Sequence, residues 1–100
     1  MQQITGPYMK PVGSGQVVAY TGTAGTIANP LPPSVNAVWV FCTTTAYIKV
    51  GASPTATTAD IPVAANWPVM IQIDRNNGDQ KVSALQETTG GNLHVQGVAY

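Results

Sequence analysis

Charge is what this sequence has least of. Asp, Glu, Lys and Arg make up 8% of its 100 residues and cancel to a formal net charge of zero, where an ordinary soluble domain carries roughly 25%. Disorder does not follow, because disordered chains pair high charge with low hydrophobicity, and 44% of this chain is hydrophobic. A surface with few charges and no net charge is poorly protected against self-association. Either neutral polar groups solvate it, twelve threonines among them, or other chains cover it permanently. We take permanent association as the expectation.

Other scarcities exclude whole classes of function. The four basic residues, Lys10, Lys49, Arg75 and Lys81, are scattered. Nucleic-acid binding needs them clustered, to displace counterions from phosphates. Cys42 is the only cysteine, so neither an intrachain disulfide nor a thiolate metal cluster can form. The longest unbroken apolar run, Ala37 to Cys42, falls far short of the roughly 20 residues of a membrane helix. The N-terminus lacks the charged and apolar regions of a secretory signal, so we expect a chain made and used without export by that route. Its length suits one domain with a modest core.

What is present reads as β structure. No window shows apolar residues at helical spacing, and valine and threonine, at twelve each, lead the β-branched set. Ten glycines and eight prolines punctuate short runs, the pattern of a sandwich or barrel. Residues 1–15 are interrupted by Gly6, Pro7, Pro11, Gly13 and Gly15 and read as an extended N-terminal arm; residues 16–100 read as a single β-sandwich domain. Gln16 to Tyr20 is the first strand, and Gly22 to Ile27 holds a short second one. Asn29-Pro30-Leu31-Pro32-Pro33 has three residues without a donor and is expected to connect two sheets.

Val35 to Cys42 is the strongest strand. Ala37, Trp39 and Phe41 point one way and Val38, Val40 and Cys42 the other. Both faces are apolar, so both should be covered, by strands on each side or by an opposite sheet plus a neighbouring subunit. Thr43-Thr44-Thr45 turns the chain into Ala46 to Val50. Gly51 to Trp67 is a long connection in which Asp60-Ile61-Pro62-Val63 adds an edge segment. Val69, Ile71 and Ile73 alternate with Met70, Gln72 and Asp74. Asn77-Gly78 favours a tight turn, so Lys81 to Gln86 is expected to pair back as a hairpin. Gly90-Gly91 turns into a last strand with Leu93 and Val95 inside and His94 and Gln96 outside. The fold class is therefore all-β: an antiparallel β-sandwich. The proline connection suits a Greek-key crossover, which admits a jelly-roll version.

Patterns for chemistry fail at named positions. A hydrolytic triad needs an activated serine beside a histidine, but Ser14 in Gly13-Ser14-Gly15 lacks the nucleophile-elbow spacing, and His94 is the only histidine. Glycoside hydrolysis needs two facing carboxylates, whereas Asp74 and Asp79 flank one turn. The segment from Asp74 to Asp79 is rich in oxygen ligands, yet against the EF-hand order Gly78 comes one place early and Leu85 stands where the late Glu belongs. Zinc has only Cys42 and His94 as soft ligands, and a free cysteine more often packs in a core. The glycine loops at Gly13 and Gly22 lack the phosphate-binding patterns. The chain is expected to be no enzyme and to hold no cofactor or metal.

The aromatics divide. Trp39, Phe41 and Tyr47 read as core or interface. Trp67, beside a connection, suits capping the sandwich first, with a partner contact or a sugar platform behind it. Candidate interface residues are Tyr8, Met9, Tyr20, Trp67 and Tyr100, because exposed aromatic and thioether side chains anchor protein contacts.

The succession Val38-Trp39-Val40-Phe41, Ala46-Tyr47-Ile48-Lys49-Val50-Gly51, Asp60-Ile61-Pro62-Val63 with Trp67-Pro68-Val69, Lys81-Val82-Ser83-Ala84-Leu85 and Gly91-Asn92-Leu93-His94-Val95 resembles small virion proteins of tailed bacteriophages. These include head decoration, or cement, proteins. The likeness spans roughly residues 35–98 and rests on strand and turn patterns. It implies a capsid-surface protein, assembled in the host cytoplasm, that binds the major capsid protein as a dimer or trimer, with no nucleic acid or membrane partner. The rival expectations are a carbohydrate-binding module of a fibre or tail tip, and a head–tail connector.

Overall fold

The computed structural model describes residues 10–73 and 80–99. Among them lie nine strands and no helix: β1 Lys10–Pro11, β2 Gln16–Tyr20, β3 Gly25–Thr26, β4 Ala37–Cys42, β5 Ala46–Gly51, β6 Ile61–Val63, β7 Val69–Gln72, β8 Lys81–Gln86 and β9 Gly91–Ala99. One sheet, here called sheet A, runs β1-β9-β4-β7 with β2 also on β9; sheet B runs β3-β8-β5-β6.

One construction generates this order. β2 pairs with β9, β3 with β8, β4 with β7 and β5 with β6, all antiparallel. The chain is thus one long hairpin whose tip is β5–β6. Rolling that hairpin sets β4 against β9 and β5 against β8. The product is a jelly roll, an eight-stranded pair of Greek keys in facing sheets, with β1 as an addition. The expected sandwich is present, in its jelly-roll form.

Rolling changes what the local patterns mean. From β2 onward every connection except β5 to β6 passes from one sheet to the other. The proline segment does so as expected, although Leu31 is buried and its N–H donates to the Gln80 carbonyl at 2.7 Å. The expected hairpin of Val69–Ile73 with Lys81–Gln86 does not form. β7 lies on β4, while β8 lies between β3 and β5. A two-residue turn signal reports only local reversal; here apolar strands distant in sequence supply the partners. Asn77-Gly78, the basis of that expectation, lies outside the described residues.

The N-terminal boundary also shifts. Lys10 and Pro11 pair with Ala99 and Val98, and the Val12 N–H donates to the Gly97 carbonyl at 2.9 Å. Of the arm expected over 1–15, the part from Lys10 to Val12 therefore belongs to sheet A. Pro11 is tolerated because β1 is an edge strand, where a missing donor breaks no ladder. Residues 1–9 lie outside the description.

The core lies between the sheets. Val38, Val40 and Cys42 from β4 and Leu93 and Val95 from β9 face Ala46 and Ile48 from β5 and Val82 and Ala84 from β8, with Tyr20, Ile27, Leu31 and Val63 closing the ends. Each large aliphatic among them contributes about 1.5–3 kcal/mol by leaving water. Val69, Ile71 and Ile73 pack against this cluster while partly exposed, matching the half-buried alternation expected of that strand. At the β2–β3 corner, Gly25 passes so close to Ala19 that a Cβ would collide with the Ala19 carbonyl oxygen.

Candidate interface

The two outer faces of the sandwich are finished differently. On sheet B, Lys49 lies opposite Ser83 and Thr26 opposite Ser83 on its other side, so Ser83 points away from the core. It is nevertheless fully buried. The long connection between β5 and β6 folds back over it. The Ala56 N–H donates to Ser83 Oγ at 3.0 Å, and Thr26 Oγ1 donates to the Pro54 carbonyl at 3.2 Å. Pro54 and Ala56 are buried by the same fold-back. Asp60 closes the connection, its Oδ2 accepting from the Thr57 N–H at 2.6 Å and from Thr57 Oγ1 at 3.1 Å. This carboxylate holds a turn.

Among the described residues, no such roof covers sheet A at Val17 and Trp39. Cross-strand register places Val17, His94 and Phe41 in one outward row and Gln96, Trp39 and Met70 in the next. Val17 is 60% exposed and Trp39 38%. The His94 ring meets Phe41 edge-on, 5.9 Å between centroids and 73° between planes. A shallow hollow of about 210 Å³ is bounded by Gly15, Val17, Trp39, Phe41, His94 and Gln96, among others. The Gln96 amide nitrogen is turned back on the chain, Nε2 donating to the carbonyls of Val12, Gly13 and Gly97 at 2.9–3.3 Å. Of the expected cover for both faces of β4, the described residues supply one; on the other face Trp39 is 38% exposed.

Trp67 is 68% exposed. It does not cap the sandwich. The turn that displays it is pinned, because the Asn66 N–H donates to the Cys42 carbonyl at 2.8 Å while Asn66 holds a φ of 59°, a left-handed conformation that asparagine tolerates better than most residues.

Tyr20 is corrected from interface to core. Its ring is 1% exposed, and its hydroxyl is committed, donating to the Thr44 carbonyl at 2.7 Å and accepting from the Thr44 N–H at 3.2 Å. As the inward residue at the end of β2, it ties sheet A to the turn between β4 and β5. Gly91 makes room for this clamp, since a Cβ there would stand 2.6 Å from the Thr43 and Thr44 hydroxyls and 2.9 Å from the Tyr20 hydroxyl. Tyr8, Met9 and Tyr100 lie outside the described residues. Val17 and Met70 are the contributors that sequence reasoning passed over. Alternation along Gln16 to Tyr20 could have found Val17, because an inward Tyr20 forces it outward.

Chemical groups are sparse around these surfaces. Burial pushes the Cys42 thiol up from 9.0 to about 11, with a hydrogen bond to the Tyr20 side chain pulling back by less. The thiol is therefore protonated and unreactive at neutral pH. Among the described residues no three of His, Cys, Asp and Glu stand close enough to hold a metal ion. What the geometry offers is contact area: an open apolar sheet face and a tryptophan on a pinned turn. Comparison with protein-family models, with curated proteins and with solved structures finds no match for this chain.

Proposed function

We propose that this chain is a structural component of a virion shell, a capsid decoration or cement protein that binds and stabilises the major capsid protein. The observation that carries this reading is Trp67, 68% exposed on a hydrogen-bonded turn of a sandwich that otherwise closes its own core. A large amphipathic ring with only two side-chain torsions loses little entropy when a partner covers it, and tryptophan is enriched at contact hot spots. The scarcity of charge supports the same reading, since wide surfaces can be buried without desolvating ions. Jelly rolls also serve repeatedly in viral capsids, an analogy at the level of fold.

The copy number of this chain in purified particles from the genome that encodes it is the test. Hundreds of copies per particle support the shell role, six or twelve assign it to a head–tail connector, and none sinks the reading. Trp67→Ala should lower occupancy on the shell at least tenfold without changing the melting temperature. The same exposed ring favours one second reading, a carbohydrate-binding module, because indole stacks on pyranose faces. Saturable quenching of Trp67 fluorescence by host polysaccharide, lost in Trp67→Ala, would support that alternative.

A further inference from the structure

We propose that the end of the sandwich where three turns meet is a binding site for a neutral saccharide, with Thr43, Thr45 and Glu87 holding sugar hydroxyls and Trp67 stacking on the ring. The inference rests on the carbohydrate reading of Trp67 and deepens it, by naming the polar half of the site.

The turns come from distant parts of the chain, and each passes from one sheet to the other. A hollow of about 270 Å³ is lined by residues 43–45 after β4, Ala65 between β6 and β7, and residues 87–89 after β8. The three turns are laced together. The Ala65 N–H donates to Thr45 Oγ1 at 3.3 Å, the Glu87 N–H to the Thr45 carbonyl at 3.1 Å, and Thr44 Oγ1 to the Thr89 carbonyl at 2.9 Å. From β9, the Asn92 N–H reaches Thr43 Oγ1 at 2.9 Å. A site fixed in this way loses little entropy on binding.

Chemistry selects the ligand. A hydroxyl oxygen that accepts from a backbone N–H keeps its own proton to donate. Thr43 and Thr45 are therefore oriented donors, while the exposed Glu87 brings a carboxylate able to accept two hydroxyls at once. A carboxylate and no basic residue lines the hollow, which disfavours an anion. Among the described residues no three metal ligands stand together. The apolar atoms of the lining belong to alanine, threonine and the Glu87 stem, which give a peptide no pocket for a large anchor. What fits is a neutral molecule dense in hydroxyl groups.

Trp67 supplies the stacking surface. It stands two residues beyond Ala65 on the pinned turn and is exposed. A pyranose carries C–H groups on its face and hydroxyls around its rim, so indole takes the face while the hollow takes the rim. The volume lies below the roughly 300–1,000 Å³ of pockets that hold drug-sized ligands. It suits one sugar residue, with a Kd of about 1 mM.

The test is titration of the isotope-labelled full chain with maltohexaose, cellohexaose and chitohexaose, each to about 20 mM, read by amide chemical shifts. At least one should move amides within residues 43–45, 64–67 and 87–89 saturably. Glu87→Ala, at an exposed position, should weaken that binding at least fivefold with an unchanged melting temperature, and Trp67→Ala at least tenfold. Val17→Ala, on sheet A, should leave it within about twofold. Binding that is lost in Trp67→Ala but indifferent to Glu87→Ala overturns the assignment to this hollow and leaves the carbohydrate reading standing. No saturable shift with any of the three sugars overturns both. Tighter binding of dextran sulfate than of any neutral sugar overturns the choice of a neutral ligand. The shell reading is decided by copy number and stands apart from these outcomes.

Discussion

The two outer faces of this sandwich contrast in a way the two inner faces do not. Both inner faces are apolar and buried. Outside, sheet B is roofed by its own chain, with Ser83 buried beneath Pro54 and Ala56, while sheet A leaves Val17 and Trp39 in water. The difference has a covalent origin. β5 and β6 are the one pair of sequence-neighbouring strands that share a sheet after β2, and the excess chain between them has only sheet B to lie on. Among the described residues sheet A receives no comparable connection. A small domain thus spends its spare backbone on one face and leaves the other for whatever it meets.

Substitutions can break this contrast, and the largest effect should come from beneath the roof. Ile48, 1% exposed on the inner face of β5, should cost about 3 kcal/mol when changed to Ala, from lost transfer energy plus a cavity. Chemical denaturation would measure it. Trp39→Ala, on the outer face of the other sheet, is the counterpart.

Next comes the layer both faces share. The Cys42 thiol has a folded pKa of about 11 against an ordinary 9.0. Above pH 9 the unfolded chain loses this proton while the folded chain keeps it. Stability is therefore intact below pH 9 and falls as pH rises through 11, by about 3 kcal/mol at most. Melting curves between pH 8 and pH 11 should show the decline, and Cys42→Ala should remove that part of it. A decline identical in the variant would mean that the thiol is not its source.

Ser83→Ala tests the roof itself. It leaves the buried Ala56 N–H without its acceptor, an expected loss of about 1–2 kcal/mol. Limited proteolysis should then cut within residues 52–59 faster than in wild type. An unchanged cleavage rate would show that the roof is held by burial of Pro54 and Ala56 instead.

Trp39→Ala should have the smallest effect on the isolated chain, below about 1 kcal/mol, because the ring is already 38% exposed. If Trp39→Ala were as damaging to stability as Ile48→Ala, the contrast between the faces would not hold.

Much of this was legible in the sequence. Alternation set Val38, Val40 and Cys42 on the face opposite Trp39 and Phe41 and placed Lys49 outside, and the Asp60–Val63 edge segment stood out in the long connection. The pairing of β7 and β8 was misread because a turn dipeptide speaks only for the residues beside it. Tyr20 was misread because aromatic character alone does not separate a partner contact from a core clamp. The hydroxyl needed Thr44, 24 residues away, to decide between them. Trp67 was misplaced for the converse reason: no pattern announces that a pinned turn will hold a ring away from the core.

The feature met first, the shortage of charge, keeps its meaning through the fold. Composition and period-two alternation by themselves determined an all-β chain with an uncharged, apolar strand face at Trp39 and Phe41, because side-chain direction along a strand is local geometry. Only the tertiary structure decided that β4 lies between β9 and β7, that the spare connection roofs sheet B, and that the Trp39 face stays open. Those outcomes depend on which distant strands meet when the long hairpin rolls, and no local pattern encodes that meeting.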